Sequence, residues 1–292
     1  GRKSMPSYET LVSKTASSLA QEDREIDDED RNAWMIPDST HDVDHQQWLE
    51  QRVKFFKPLF KSKLSSMNAF HLDSSKGHAT RWLSEWLQQQ GIAVEEVSLH
   101  APAMNDGCGA GELSPGQSWS WSDIGSSGHL LIDSLSSQGR GKIVGAALDG
   151  DGDRCLLIRE TEHGVEVVDG DDIADAILRA CPQGWKVAAS IESNLKLLSS
   201  LEEHPEMKGF ETAVGDRWLS HALHPLLSES KHQPLLFGIE DSGHIVLPSP
   251  HPHNPHAWSL VGDGAMTLIL ALLAFHDAGA DLMQKGWKKR LS

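Results

Sequence analysis

The segment Asp149-Gly150-Asp151-Gly152-Asp153-Arg154 puts three carboxylates on alternate positions. In extended backbone alternate side chains project to one side, and the intervening glycines let the chain curl so that the three can converge. Three like charges at close range are costly unless a hard cation lies among them, and an oxygen-only ligand set suits Mg²⁺ or Ca²⁺. Arg154 adds a planar fork of donors beside the cation, a geometry matched to phosphate. A solvated acidic turn is the reading without chemistry.

A calcium-binding EF-hand loop is the competing cation site. The aspartate spacing fits it, and Glu160 falls at the twelfth position, but the sixth position, which needs Gly for a sharp turn, is Arg154. The flanks also differ. Lys142 to Leu148 is a short apolar run of the buried-strand type, and Cys155-Leu156-Leu157-Ile158 and Val165-Glu166-Val167-Val168, separated by Glu162-His163-Gly164, have the pattern of a hairpin. The cation loop therefore leaves a strand, not a helix.

The surrounding pattern has to place that loop. From Met67 onward strands and helices alternate: strands at 69–73, 92–94, 142–148, 186–191, 210–214, 235–238 and 245–247, and helices at 78–90, 172–181, 194–202, 218–226 and from the Asp263 cap to Phe275. Asp171 and Asp172 are expected to cap the helix at 172–181, and Ser193 or Asn194 the next. Residues 105–140, rich in Gly and Ser, are expected as loops. The alternation predicts an α/β fold, two tandem mixed-sheet α/β domains, at 67–178 and 179–292. In residues 1–66, expected as an N-terminal remnant or linker, Asp23 to Arg31 is a dense charged run, and Trp48, Val53, Phe56 and Leu59 space out like one amphipathic helix.

A chain of 292 residues can build two such cores. Its formal charge of −16 disfavours a general binder of nucleic acid or anionic membrane, yet a local Arg/Lys cluster and a cation can still admit an anion into one cleft. The three widely spaced cysteines, Cys108, Cys155 and Cys181, give neither a disulfide framework nor a zinc pattern and fit a reducing cytoplasm. The longest apolar run, Ala265 to Phe275, is too short to span a bilayer, and no signal peptide is visible.

In open α/β sheets ligands gather beyond strand C-termini, and two further polar loops occupy such positions. Gly215-Asp216-Arg217 could be a simple helix start with Asp216 as its cap. Glu240-Asp241-Ser242-Gly243-His244 is richer: Glu240 and Ser242 can hydrogen-bond sugar hydroxyls, Gly243 permits close approach, and His244 can transfer protons near neutral pH; the alternative is a tight turn. His251, His253 and His256, broken by prolines, are expected in an exposed loop outside the site. Trp119 and Trp121 offer a weak hint of sugar stacking.

Together these loops resemble the α-D-phosphohexomutases, over about residues 67–290. Leu148 to Arg154 resembles the metal loop of that family's second domain, Thr212 to Trp218 a third-domain segment, and Gly238 to His244 the sugar-recognition loop. Asn105 to Ala110, Val168-Asp169-Gly170-Asp171 and Glu192-Ser193-Asn194 most resemble the bacterial phosphoglucosamine mutase branch. The resemblance implies Mg²⁺ held by Asp149, Asp151 and Asp153, a phosphoryl group steadied by Arg154, sugar hydroxyls held by Glu240 and Ser242, substrate contact from Arg217, and His244 as general acid/base. It also implies a hexose or hexosamine phosphate as substrate, interconverted between its 1- and 6-phosphates through a phosphoserine.

The chain departs from that pattern. Gly1 to Ser7 loosely resembles a first-domain segment, but Thr15-Ala16-Ser17-Ser18 lacks the His-Asn-Pro that follows the family's phosphoserine, Ala213 stands where a basic residue is expected, and no fourth-domain counterpart precedes Ser292. The expectation is therefore a chain incomplete for turnover. The rivals are a degenerate sugar-phosphate or metal binder acting as sensor or scaffold, and a calcium-regulated module.

Overall fold

Along β4 (Ile143–Leu148) and β5 (Cys155–Glu160) successive side chains drop into two different cores. Ala146, Leu148, Cys155 and Leu157 join one cluster, and Val144, Ala147, Leu156 and Ile158 join another. A strand apolar on both faces needs cover on both sides, and the fold supplies it in layers. The computed structural model describes Lys14 and residues 41–202, 205–229, 235–251, 254–279 and 281–283.

The first sheet adds β1 (Phe70–Asp73), β2 (Val94–Glu96), β3 (Ser118–Ser120) and β6 (Gly164–Val168), in the order β2-β1-β4-β5-β6-β3. β1 runs parallel to β2 and β4, and the other pairs are antiparallel. The second sheet contains β7 (Lys186–Ser190), β8 (Lys208–Thr212), β9 (Leu236–Ile239), β10 (Ile245–His251) and β11 (Asn254–Gly262), in the order β11-β10-β9-β7-β8. β7 is parallel to β8 and β9, whereas β10 is antiparallel to both neighbours. The protein is a mixed α/β structure with two mixed sheets.

Helix α4 (Gly170–Ala180) and helix α7 (Gly264–Ala278) lie between the sheets. Their Ile173, Ile177, Met266 and Leu270 share one core with Leu72 and Leu148 of the first sheet and with Phe237, Ile239 and Leu247 of the second. The outer face of the first sheet is covered by α3 (Leu130–Ser134), through Leu131 and Ile132. The outer face of the second is covered by α6 (Asp216–Glu229), through Leu219, Leu223 and Leu227. α2 (Leu83–Gln89) and α5 (Leu195–Leu201) complete the βα connections. α7 is apolar all round because it is buried all round. Among the described residues no helix is long and apolar enough to cross a membrane.

Four local expectations are corrected. Residues 105–140 are not loop throughout: they contain β3 and α3, both too short to show a period, and β3 is ordered by its ladder to β6. There Trp119 and Trp121 pack against the outer core of the first sheet, so they are packing residues. The cap of α4 is Asp169, whose side chain accepts from the Asp172 amide at 3.1 Å; Asp169 is the residue in extended backbone, whereas Asp171 and Asp172 lie inside the first turn. His251 and His256 belong to β10 and β11, while His253 lies outside the described residues. Pro248 and Pro250 are tolerated in β10 because β9 pairs with it only as far as Val246. Thr15 to Ser18 also lies outside the described residues.

Helix α1 (His41–Phe56) buries Leu49, Arg52, Val53 and Phe56, an i, i+3, i+4, i+7 stripe, and packs on α7 and β10. Arg52, 2% exposed, ion-pairs with Asp263, the N-cap of α7, which also accepts from the Met266 amide at 3.0 Å. Burial pushes the Asp263 carboxyl up, but the Arg52 charge and hydrogen bonds from His45 and Met266 outweigh it and hold it well below the ordinary range. Asp263→Ala, which strands the buried guanidinium, is expected to cost about 3–5 kcal/mol in urea unfolding. Arg52→Met combined with Asp263→Ser, which restores a cap without the charge pair, should recover most of that loss.

Candidate functional site

Asp149 directly follows β4, and its side chain sets the shape of the loop it begins. Its Oδ1 accepts from the amides of Asp153 and Arg154, both at 3.1 Å, and its Oδ2 from Arg154 Nε at 2.8 Å. The loop closes with the Gly152 amide on the Asp149 carbonyl at 3.1 Å, and Gly152 has φ +77°, a left-handed conformation for which glycine is suited. Carboxylate oxygens of Asp149, Asp151 and Asp153 thereby come within 4.8 Å of one another, with Asp149 buried, Asp153 half-buried and Asp151 exposed. An all-oxygen trio of this kind, open on one side, fits Mg²⁺. Burial pushes the Asp149 carboxyl up, but Arg154 outweighs it and holds the group below its usual value, ready to ligate.

The loop Glu240–His244 docks directly against this one. His244 and Arg154 form an antiparallel bridge, and the Cys155 amide donates to the Gly243 carbonyl at 3.0 Å. Gly243 has φ +86°, and a Cβ there would stand 2.3 Å from the Cys155 carbonyl oxygen. The imidazole of His244 is wedged between two acids, with Nε2 3.4 Å from Asp216 Oδ2 and 3.7 Å from Asp153 Oδ2. Burial disfavours its protonated form, yet Asp216, Asp153 and Glu240 prevail and raise its pKa. Glu240 Oε1 accepts from the Gly215 amide at 2.5 Å, tying the third loop in. Burial pushes the Glu240 carboxyl up against that hydrogen bond.

Asp149, Asp151, Asp153, Arg154, Glu240 and His244 are therefore brought to one place. Ser242 is half-exposed on the same turn. Arg217 opens α6 beside them, exposed, its guanidinium carbon 5.8 Å from the Trp218 ring centroid. Asp216, which sequence reasoning offered only as a possible cap, is the acid that pairs with His244.

A neighbouring wall was not foreseen, in which Met104 and Asn105 lie against Gly150. Ser75, Lys76 and Asn105 have φ of +58°, +52° and +59°. Strain in non-glycine residues collects at functional sites, where surrounding contacts enforce it. Asn105 donates its amide to the Ser75 carbonyl at 3.1 Å, and the fully buried Asp73 accepts from the amides of Ser75 at 2.8 Å and Gly109 at 2.7 Å.

Residues 169–289 match the family model for the phosphoglucomutase/phosphomannomutase alpha/beta/alpha domain III. The chain is 28% identical over 236 residues to the phosphoglucosamine mutase of Streptomyces coelicolor, covering 78% of this chain and 44% of that protein. In fold it is similar to the N-acetylphosphoglucosamine mutase of Aspergillus fumigatus in complex with GlcNAc-6P and magnesium (TM-score 0.51, 19% identity, 79% of this chain and 51% of that one). It is also similar to a putative phosphomannomutase of Thermus thermophilus (TM-score 0.53, 18% identity, 80% and 47%). The family model, the curated relatives and the shared fold together support placing the chain in the α-D-phosphohexomutase superfamily. It spans about half the length of the curated phosphohexomutases that it matches.

Two expectations concern the stability of this arrangement. Gly243→Ala should cost about 2 kcal/mol or more, since it adds a backbone clash to left-handed strain, whereas Gly152→Ala, whose Cβ meets nothing within 4 Å, should cost about 1 kcal/mol. Urea unfolding of both variants checks the order. Asp171, fully buried, accepts from the Asn194 amide at 2.7 Å, and burial with Asp169 nearby pushes its carboxyl up to about 6. The unfolded chain loses that proton near pH 4, so this group's contribution to stability should fall as pH rises from about 4 through 6. Asp171→Asn should flatten that window and be the more stable protein at pH 7, as read by thermal melts across pH.

Proposed function

We propose that this chain supplies the cation-holding and sugar-recognising parts of a phosphohexomutase reaction, the interconversion of hexose or hexosamine 1- and 6-phosphates. The observation that carries this reading is the bridge between Arg154 and His244, which sets the aspartate trio edge to edge with the Glu240–His244 loop. Residues 67–178 would carry the cation and 179–292 the sugar loop, with 1–66 a remnant of a further unit. A hexosamine phosphate is favoured among substrates, because the relatives include phosphoglucosamine mutases and a solved neighbour holds GlcNAc-6P.

In this reading Asp149, Asp151 and Asp153 hold Mg²⁺, whose charge would offset that on phosphoryl oxygens. Arg154, already oriented by Asp149, presents its remaining donors to the phosphoryl group. Glu240 and Ser242 take up sugar hydroxyls from one turn, and Arg217 offers a cation at the start of α6. His244, whose affinity for a proton Asp216 and Asp153 raise, serves as the general acid/base. The three buried thiols, none in a disulfide, suit a cytoplasmic setting. The 292 residues bind cation and sugar phosphate without isomerising it, since no Thr-Ala-Ser-His-Asn-Pro run occurs among them.

Isothermal titration with MgCl₂ and a coupled mutase assay on glucosamine, glucose and mannose phosphates, primed with sugar bisphosphate, test this. Mg²⁺ should bind, and Asp151→Asn, at the exposed member of the trio, should weaken it at least tenfold with an unchanged melting temperature. No binding at millimolar Mg²⁺ would refute the metal reading. Robust turnover would refute the incompleteness, and binding of ion and sugar phosphate without turnover by any longer form would favour a sensor or scaffold.

A further inference from the structure

We infer that His45, on helix α1 and far in sequence from the site, is a positioning residue for the metal loop: it joins the two backbone anchors that hold the peptide units on either side of Asp151. The inference rests on the metal reading above for its purpose, and on geometry for its substance.

The first anchor is the His78 amide, which donates to the Gly150 carbonyl at 3.0 Å. The second is the Gly264 amide, at the start of α7, which donates to the Gly152 carbonyl at 2.7 Å. Both approaches are too close for a side chain. A Cβ on Gly77 would fall 2.1 Å from the Gly150 carbonyl oxygen, and one on Gly264 2.3 Å from that of Arg154. The loop that these anchors hold, 149–153, contains two glycines and three mutually repelling carboxylates, so its own chemistry would let it open.

His45 reaches both anchors with one ring. Its Nε2 lies 3.4 Å from Asp263 Oδ2, the residue before Gly264, and its Nδ1 lies 3.2 Å from His78 Nε2. A carboxylate requires a donor opposite it, so Nε2 of His45 carries the proton and Nδ1 is left to accept from His78. The ring also stacks on His78, with centroids 5.3 Å apart and planes within 9°, and packs on Trp82 at 5.0 Å. Arg52, about two turns further along the same face of α1, also pairs with Asp263. Such second-layer contacts commonly decide how well a ligand set is held.

The test uses the full chain with His45→Phe, which keeps an aromatic ring between His78 and Trp82 and removes both nitrogens. Hydrogen–deuterium exchange of the metal-free protein is expected to quicken at least threefold in peptides covering 149–155, with α1 and α7 otherwise unchanged. Mg²⁺ affinity should fall three- to tenfold. His45→Gln, whose amide can donate and accept, should restore part of both effects and covers the case in which the Phe variant folds poorly. Trp48→Phe removes a different polar tether of α1, the Nε1 donation to the Pro250 carbonyl at 3.0 Å, and should leave loop exchange and Mg²⁺ affinity at wild-type values. Unchanged exchange in the Phe variant, or faster exchange spread over all of α1 and α7, overturns the inference. If the wild type binds no Mg²⁺, the metal reading fails while the exchange data still decide the role of His45.

Discussion

Carboxylates of Asp149, Asp151 and Asp153 repel one another at the range where the structure holds them. Keeping them together without unfolding the loop is the constraint that the surrounding architecture answers. It answers mainly with backbone: the amides of His78, Gly264, Asp153 and Arg154 all donate into the loop or to its first aspartate. Main-chain donors carry no side-chain entropy and cannot swing away, so they fix the loop without a side chain having to be ordered.

Those donors come from elements far apart in the chain, and the shared core is what brings them to one place. α7 packs on both sheets through a single apolar cluster, so its N-terminus can reach a loop that leaves the first sheet. The same packing aligns β9 and β10 with the hairpin of β5 and β6, and the turn Glu240–His244 then meets Arg154 and Cys155 edge to edge. A site at the join of two layers depends on both, which explains why glycine occurs at positions 77, 243 and 264, where backbones touch.

Much of the scaffold was legible in the residue pattern. β4, the β5–β6 hairpin, α4 and α7 announce themselves by period and by caps, and the two polar loops beyond strand ends announce themselves by composition. β3, α3 and β11 did not. β3 and α3 are only three and five residues long, below any period, and β11 carries a proline among its first residues. Each is specified by its partner rather than by its own letters, as tertiary context commonly overrides local propensity.

Within the candidate site, the types and spacing of Asp149, Asp151, Asp153, Arg154, Glu240 and His244 were determined by the sequence alone, because covalent neighbours on one loop share one environment. The pairing of His244 with Asp216, the anchors at His78 and Gly264 and the reach of His45 were decided only by tertiary structure. They join residues from 28 to more than 200 positions apart, and no periodicity encodes a contact across that distance. Only the packing of both sheets onto α4 and α7 determines which distant backbone atoms come to face the aspartates.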